Sequence, residues 1–462
     1  MLNQATAQVV LEAALSTGGD FAEIFMEDRR NNVLTLQDSR LESINSSRIH
    51  GAGIRVYHKL TAYYAYTNDT SREGLLRCAL EAASAVKAGD ERIQCAQLVK
   101  QDIRNAHFVS MKPNETDTKL KADILRAANN SARAVSDEIS QVVCSYRDSE
   151  QDVVIANSDG LFVNDTRVYS RMACQAIAAS GSENQSGFEG PGAMKGFEHF
   201  LNTINPEVTG RQAATTAVKM LHAPVCPAGT MPVVIGDGFG GVIFHEACGH
   251  SLEATSVAVG MSEFCGKLGQ QVAASCVTAI DDGTMPGEWG SENVDDEGTP
   301  TGRLVLIENG ILKNYMVDRL NGRRMGMAPT GSARRESYQF APTSRMRNTY
   351  IASGSDDPAE MISTMGDGLY AAKMGGGSVN PATGEFNFAV NEGYLVKDGK
   401  ITTPVRGASL IGKGNEILMQ IDRVGRTMHM AQGMCGSMSG SVPTNVGQPF
   451  IRVKSIIVGG RA

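Results

Sequence analysis

Residues 222–254 read HAPVCPAGTMPVVIGDGFGGVIFHEACGHSLEA. Pro224 and Pro227 break any regular pattern, 231–235 are a short apolar run, and 236–241 are a glycine-rich turn. The stretch predicts a domain boundary near 222–229, then a strand, a turn and a helix that carries His245. On its N-terminal side, helix and strand patterns alternate. Helices are predicted over 5–16, 73–86, 117–135 and 206–221, the last with Pro206 in its first turn. Strands are predicted over 21–26, 32–36, 53–66, 142–146, 152–156 and 168–178. On the C-terminal side the chain reads as short strands at 304–308, 386–390, 394–396 and 401–402, with one further helix over 357–372. Asn309-Gly310 and Asp398-Gly399 between strand-like runs predict hairpins. The expected fold is α+β: an N-terminal α/β-sandwich-like domain over 1–222 and a C-terminal β-rich domain over 223–462, led by the helix of His245.

Composition narrows the function. Of 462 residues, 42% are apolar and 20% charged, which gives ample core material and excludes a disordered chain. The net charge of −7 argues against nucleic acid as a partner. No apolar run is long enough to span a membrane. The first residues have no basic start and are interrupted by Glu12, so they read as an amphipathic helix ending at Gly18-Gly19, not as a signal peptide. Nine scattered cysteines without a CxxC pair fit a reduced, cytoplasmic protein and exclude a Cys-rich structural zinc site.

The chemistry concentrates at His245-Glu246-Ala247-Cys248-Gly249-His250. The pattern holds one residue more than the HExxH of zinc proteases, and that residue matters. An i,i+4 pair lies about 40° apart on an α-helix and can share one ion; an i,i+5 pair lies about 140° apart and cannot. If His245 and His250 bind one metal, the backbone must be π-like there or break near His250, and Gly249 eases the deformation. Two imidazoles favour zinc or a similar ion, and Glu246 can take a proton from water in the same cavity. A catalytic site needs a third ligand. Cys435, His429 and the acids of 281–297 are the candidates, while His222 and Cys226 read as structural. The plainer alternative is that the histidines are ordinary hydrogen-bonded helix residues and Cys435 a small buried hydrophobe.

The segment GGVIFHEACGHSLEA (240–254) resembles the signature of the TldD/PmbA metallopeptidases. The similarity continues through DDEGTPTGRLVLIENGIL (295–312), DRLNGRRMGMAPTGSARRESY (318–338), RMRNTYIASG (345–354), GGGSV (375–379), PVRGASLIGKG (404–414) and VPTNVGQP (442–449), and more weakly through 51–67. The match is to the TldD-like, metal-binding subgroup. The resemblance implies a zinc peptidase with one Zn2+ per active subunit, His245, His250 and Cys435 as ligands, and Glu246 as general base. It implies cleavage of unfolded peptides, maturation of precursor peptides or degradation of antitoxins. It further implies a homodimer, or a heterodimer with a PmbA/TldE-like subunit, enclosing a restricted-access chamber. The segment CGSMSGSVPTN departs from the family in being rich in Met and Ser.

Other matched positions carry two readings each. Arg334, Arg335 and Arg345 are candidates for holding a peptide carboxylate or carbonyl, or for an internal network with Glu336 or the acids at 295–297. Gly375, Gly376 and Gly377 are candidates for backbone pairing with an extended substrate, or form an ordinary loop. The alternative function is a non-catalytic, metal-binding regulatory or partner-binding subunit. Glu246 beside the first histidine speaks against it, because a structural site needs no base.

Overall fold

The computed structural model describes residues 2–86, 93–380 and 383–460. Its first eight strands are β1 (Phe21–Gln37), β2 (Arg40–His58), β3 (Thr61–Thr67), β4 (Val99–Gln101), β5 (Ile139–Asn157), β6 (Leu161–Ser180), β7 (Glu183–Glu189) and β8 (Gly192–Ala193). They form one sheet in the order β3-β2-β1-β5-β6-β4, with β7 and β8 also on β6. Alternation along each strand splits the sheet into two different faces. One face buries Ile24, Met26 and Ile54 under helices Gln4–Ala14 and Arg72–Ser84. Further along it buries Leu34, Tyr146 and Met172 under helices Thr118–Arg133 and Pro206–Leu221. The last of these starts where Asn205 accepts from the Glu207 and Val208 amides and Pro206 presets the first turn.

The opposite face explains where the sequence misleads. The pattern predicts separate strands at 21–26 and 32–36, yet β1 is continuous. The polar interruption EDRRN (27–31) is a docking surface. Glu27 is fully buried and accepts hydrogen bonds from the Tyr338 amide and the Gln151 amide group, both at 2.7 Å, while Arg29 donates to the Glu336 carbonyl at 2.9 Å. The predicted strand 53–66 differs in the other direction: a hairpin at Lys59, whose φ is +57°, divides it between β2 and β3.

The strands that follow are β9 (Gly229–Ile235), β10 (Ala279–Asp282), β11 (Arg303–Glu308), β12 (Ile311–Leu312), β13 (Ala333–Arg334), β14 (Thr343–Ser344), β15 (Asn348–Ile351), β16 (Gly368–Asn380), β17 (Glu385–Lys397), β18 (Lys400–Val405), β19 (Ser409–Lys413), β20 (Ile421–Val424), β21 (His429–Ser437), β22 (Gly440–Gln448) and β23 (Ile451–Gly459). The order β16-β9-β23-β19-β17 closes on itself through β16–β17 pairing, giving a β-barrel filled by Val233, Leu369, Phe388, Leu410 and Val453. A second sheet runs β12-β11-β10-β15-β22-β21. The Asn309-Gly310 and Asp398-Gly399 hairpins form as expected, with positive φ at all four residues. The helix predicted over 357–372 is shorter. It covers Pro358–Ser363; Gly366 then turns the chain at φ +75°, and the remainder enters the barrel as β16. Barrel closure outweighs the local helical pattern there. The α+β expectation holds.

Candidate metal centre

β9 leaves the barrel at Ile235, turns through Gly238–Gly241 and enters a helical segment that begins at Val242. Gly241 is required by contact: a Cβ there would sit 2.6 Å from the Gly447 backbone of β22. Phe244, Ala247 and Cys248 anchor the segment in the core. Residues His245–Gly249 form a π-turn, in which the His250 amide bonds the His245 carbonyl. This i→i+5 bond is the widening that the His-to-His spacing demands, and it brings both imidazoles to the same side. Gly249 serves a different purpose from the one its flexibility suggests. Its φ is an ordinary helical −57°, but a Cβ would fall 2.2 Å from the Met346 sulfur.

The third group arrives from β21. Cys435 pairs with Val442 of β22 and is buried. Its Sγ lies 3.4 Å from His245 Nε2 and 3.4 Å from His250 Nε2. All three donor atoms lie within 4.8 Å of one another. The imidazole rings are 5.1 Å apart at 81°, so they point at a common spot from two directions. A tetrahedral zinc with typical Zn–N and Zn–S bonds has an N–S edge of about 3.5 Å, and this donor set fits that ion. Burial raises the Cys435 thiol, but the charges and hydrogen bonds of His245 and His250 outweigh it and hold its pKa at about 3. The sulfur is therefore a thiolate, the form that binds metal.

Glu246, the candidate base, places Oε2 3.6 Å from His250 Nε2, on the side where the donors converge. Its side chain is 31% exposed, so water reaches it. One further residue escaped the sequence reading. Glu253 Oε2 lies 3.3 Å from His250 Nδ1, which fixes the ring and directs the Nε2 lone pair inward. A carboxylate three residues after a histidine ligand is the signal that would have found it.

The other sequence candidates lie elsewhere. His429 is exposed and pairs with Asp237. Asp281 accepts from the Arg347 amide and Thr349, and Asp296 from Arg167. His222 pairs with Glu138 on the surface, away from buried Cys226. Arg334 donates to the Met346 carbonyl and faces Glu292; Arg335 reaches Glu23 at 2.8 Å and the Asp296 carbonyl at 2.9 Å. Arg345 holds the β21–β22 turn, donating to Ser439 Oγ, the Gly440 carbonyl and the Cys435 carbonyl. Gly375 and Gly376 form a bulge in β16, between the pairs Met374–Val390 and Gly377–Phe388, and line a cleft of about 800 Å³.

A family model described as the PmbA/TldA metallopeptidase C-terminal domain matches residues 228–460, which include His245, Glu246, His250, Glu253 and Cys435. The chain belongs to the PmbA/TldD family. The family's central domain matches 112–221 and its first domain 22–86. Among PmbA/TldD relatives, the Metalloprotease TldD homolog of Haemophilus influenzae is 33% identical, with 100% of both chains covered. A Metalloprotease of Methanothermobacter thermautotrophicus is 31% identical over 96% of each chain. The PmbA/TldD fold is also that of TldE from Thermococcus kodakarensis, at TM-score 0.75 and 19% identity, covering 96% of this chain and 97% of that one.

Proposed function

We propose that this chain is a zinc-dependent peptidase of unfolded or flexible peptides, with His245, His250 and Cys435 as metal ligands and Glu246 as the general base. One observation carries the reading: two imidazole nitrogens and a thiolate converge within 4.8 Å, with a solvent-reached carboxylate beside them. The relatives' names as metalloproteases support it. A bound zinc ion supplies Lewis acidity for polarising a carbonyl and acidifying water. The thiolate cancels part of that ion's charge, so the site depends on Glu246 for proton removal. Glu246 accepts the proton of the attacking water as its oxygen bonds the scissile carbon, and returns it to the amide nitrogen as the C–N bond breaks. Glu253 keeps His250 in the ligating tautomer, and Arg345 holds the turn that presents Cys435.

An extended peptide fits the cleft beside the β16 bulge, where Gly376 leaves open space at its missing Cβ. Residues 223–462 act as the catalytic domain and 1–222 as its substrate-facing wall. Assembly as a homodimer, or as a heterodimer with a PmbA/TldE-like subunit, encloses the site in a chamber that folded proteins do not enter; the fold shared with TldE supports this arrangement. Nine free cysteines support a reducing, cytoplasmic setting. Among the described residues no helix is long and apolar enough to cross a membrane.

The test is digestion of an unfolded protein by wild type and Glu246→Gln. The variant keeps its metal and loses about 100- to 10,000-fold in turnover. Unchanged turnover overturns the base assignment, and bound metal with no cleavage in wild type, alone or with a partner chain, favours the regulatory-subunit reading.

A further inference from the structure

The docking face of the first sheet contains an unusual pair. Arg147 on β5 stands directly opposite Arg171 on β6. Like charges in that position repel, and a sheet keeps them there at a cost in stability. Among the described residues neither forms an ion pair with a carboxylate. The fully buried arginines on this side are treated differently. Arg55 meets Glu23 and Glu297, Arg167 meets Asp296, and Arg347 meets Glu292. Arg171 has only carbonyl partners, Gly190 and Gln432, both at 3.0 Å, and the face of Trp289 at 5.6 Å. Burial, with Arg147 opposite, draws its pKa down to about 10. Arg147 is exposed and has no hydrogen-bond partner among the described residues.

Both guanidinium groups line one cleft of about 500 Å³, roofed by Trp289 and by Met434, Val442 and Pro443 of the hairpin that carries Cys435. The carboxylate of Glu292 at its base is already shared by Arg167, Arg334 and Arg347. Two more carboxylates line the cleft, Asp148, which Lys121 holds at 2.6 Å, and Glu336, which accepts from the Ser441 amide at 2.7 Å. The cleft is thus a pocket in which arginines outnumber carboxylates and none of these carboxylates pairs with Arg147 or Arg171. Arg171 contacts β21 at Gln432, three residues from Cys435, which at strand spacing is about 10 Å, or three residues of an extended peptide.

We propose that this cleft is a substrate subsite in which Arg147 and Arg171 together bind a carboxylate of the peptide, about three residues from the scissile bond. The inference rests on the peptidase reading for its substrate and names a preference that reading lacks. Two guanidinium groups at opposed strand positions, with Arg147 free of hydrogen bonds among the described residues, suit a carboxylate, which offsets the repulsion between them. The carboxylate comes either from the peptide's C-terminus or from an Asp or Glu side chain. The assigned arginines are not those of the family motifs, because cross-strand pairing creates the pair and neither residue stands out along the chain.

Trp289 is the chain's single tryptophan and reports directly on the cleft. The test is a fluorescence titration of the full-length, metal-loaded Glu246→Gln chain with four peptides. They are acetyl-pentaalanine as free acid and as carboxamide, and acetyl-Ala-Ala-Glu-Ala-Ala carboxamide with its Gln counterpart. The acid of at least one pair binds about 10- to 100-fold more tightly than its neutral partner, and added salt narrows the gap. A gap in the first pair identifies the C-terminal carboxylate, a gap in the second the side chain. Arg147→Gln, at an exposed position where folding is not at risk, and Arg171→Gln each narrow the gap at least tenfold. Equal affinities within both pairs, no binding at all, or a gap that survives in both variants overturns the proposal. Cleavage by wild type with equal affinities would sink the subsite alone, whereas acid-selective binding without cleavage would sink the peptidase reading and leave the subsite standing.

Discussion

Two buried polar regions of this molecule follow opposite rules. Between the first sheet and residues 281–347, charges are neutralised internally: Glu292 serves Arg167, Arg334 and Arg347, and Glu23 serves Arg55 and Arg335. At the His245–His250–Cys435 cluster, three donor atoms lie within 4.8 Å of one another, a spacing that fits one cation between them. The first arrangement is complete without a ligand and fixes how the two halves of the chain meet. The second, on the metal-site reading proposed above, is completed by a cation. Residue type does not separate them, since both are dense in titratable groups; the test is whether each charge finds its counterpart within the protein.

The largest expected effect tests the self-sufficient region. Glu292→Gln leaves Arg334 and Arg347 without a carboxylate partner, while Arg167 keeps Asp296, and costs about 3–5 kcal/mol, read from the urea midpoint. A loss under 1 kcal/mol would mean the network does not fasten the halves. Acid sharpens the same point. Burial pushes the Glu292 carboxyl up, but Arg167, Arg334 and Arg347 hold it well below its usual 4.5. A carboxyl depressed by folding stabilises above its unfolded pKa and loses that contribution as pH falls toward the folded value. Wild-type stability therefore drops below pH 4.5, and Glu292→Gln shows a shallower drop.

Glu253→Gln tests the ligand-dependent region. The amide can still bond His250 but no longer favours one tautomer by charge, and metal affinity falls about 10- to 100-fold with little change in the unfolding midpoint of the metal-free chain. An equal loss of stability without metal would place Glu253 in the first class. The smallest effect belongs to the surface. Arg48→Gln breaks a 2.6 Å pair with Asp28 whose arginine is 58% exposed, and leaves the urea midpoint unchanged within error.

How much of this was legible in the sequence differs between the two regions. The local geometry of the metal segment was written in its spacing: one residue beyond HExxH requires a widened turn, and His245–Gly249 has it. Cys435 lies 190 residues away from His245, and only family resemblance singled it out from His429 and the acids. Glu253 was overlooked because its role exists only once His250 is oriented. The internal network was read as interruptions. Glu27–Asn31 reads as a break between strands because Glu27 and Arg29 find partners 311 and 307 residues further along the chain. The acids at 281–297 are candidate metal ligands by residue type, yet Asp281, Glu292, Asp295, Asp296 and Glu297 are all buried against partners within the protein. Periodicity identifies faces that meet apolar neighbours and is silent on faces that meet charge.

The central claim is that His245, His250 and Cys435 hold one zinc ion. X-ray absorption at the zinc edge on the purified chain tests it most directly. One zinc per chain is expected, with nitrogen neighbours at about 2.0–2.1 Å and a single sulfur at about 2.3 Å that disappears in Cys435→Ala. A metal shell without sulfur, or one unchanged by Cys435→Ala, would contradict it.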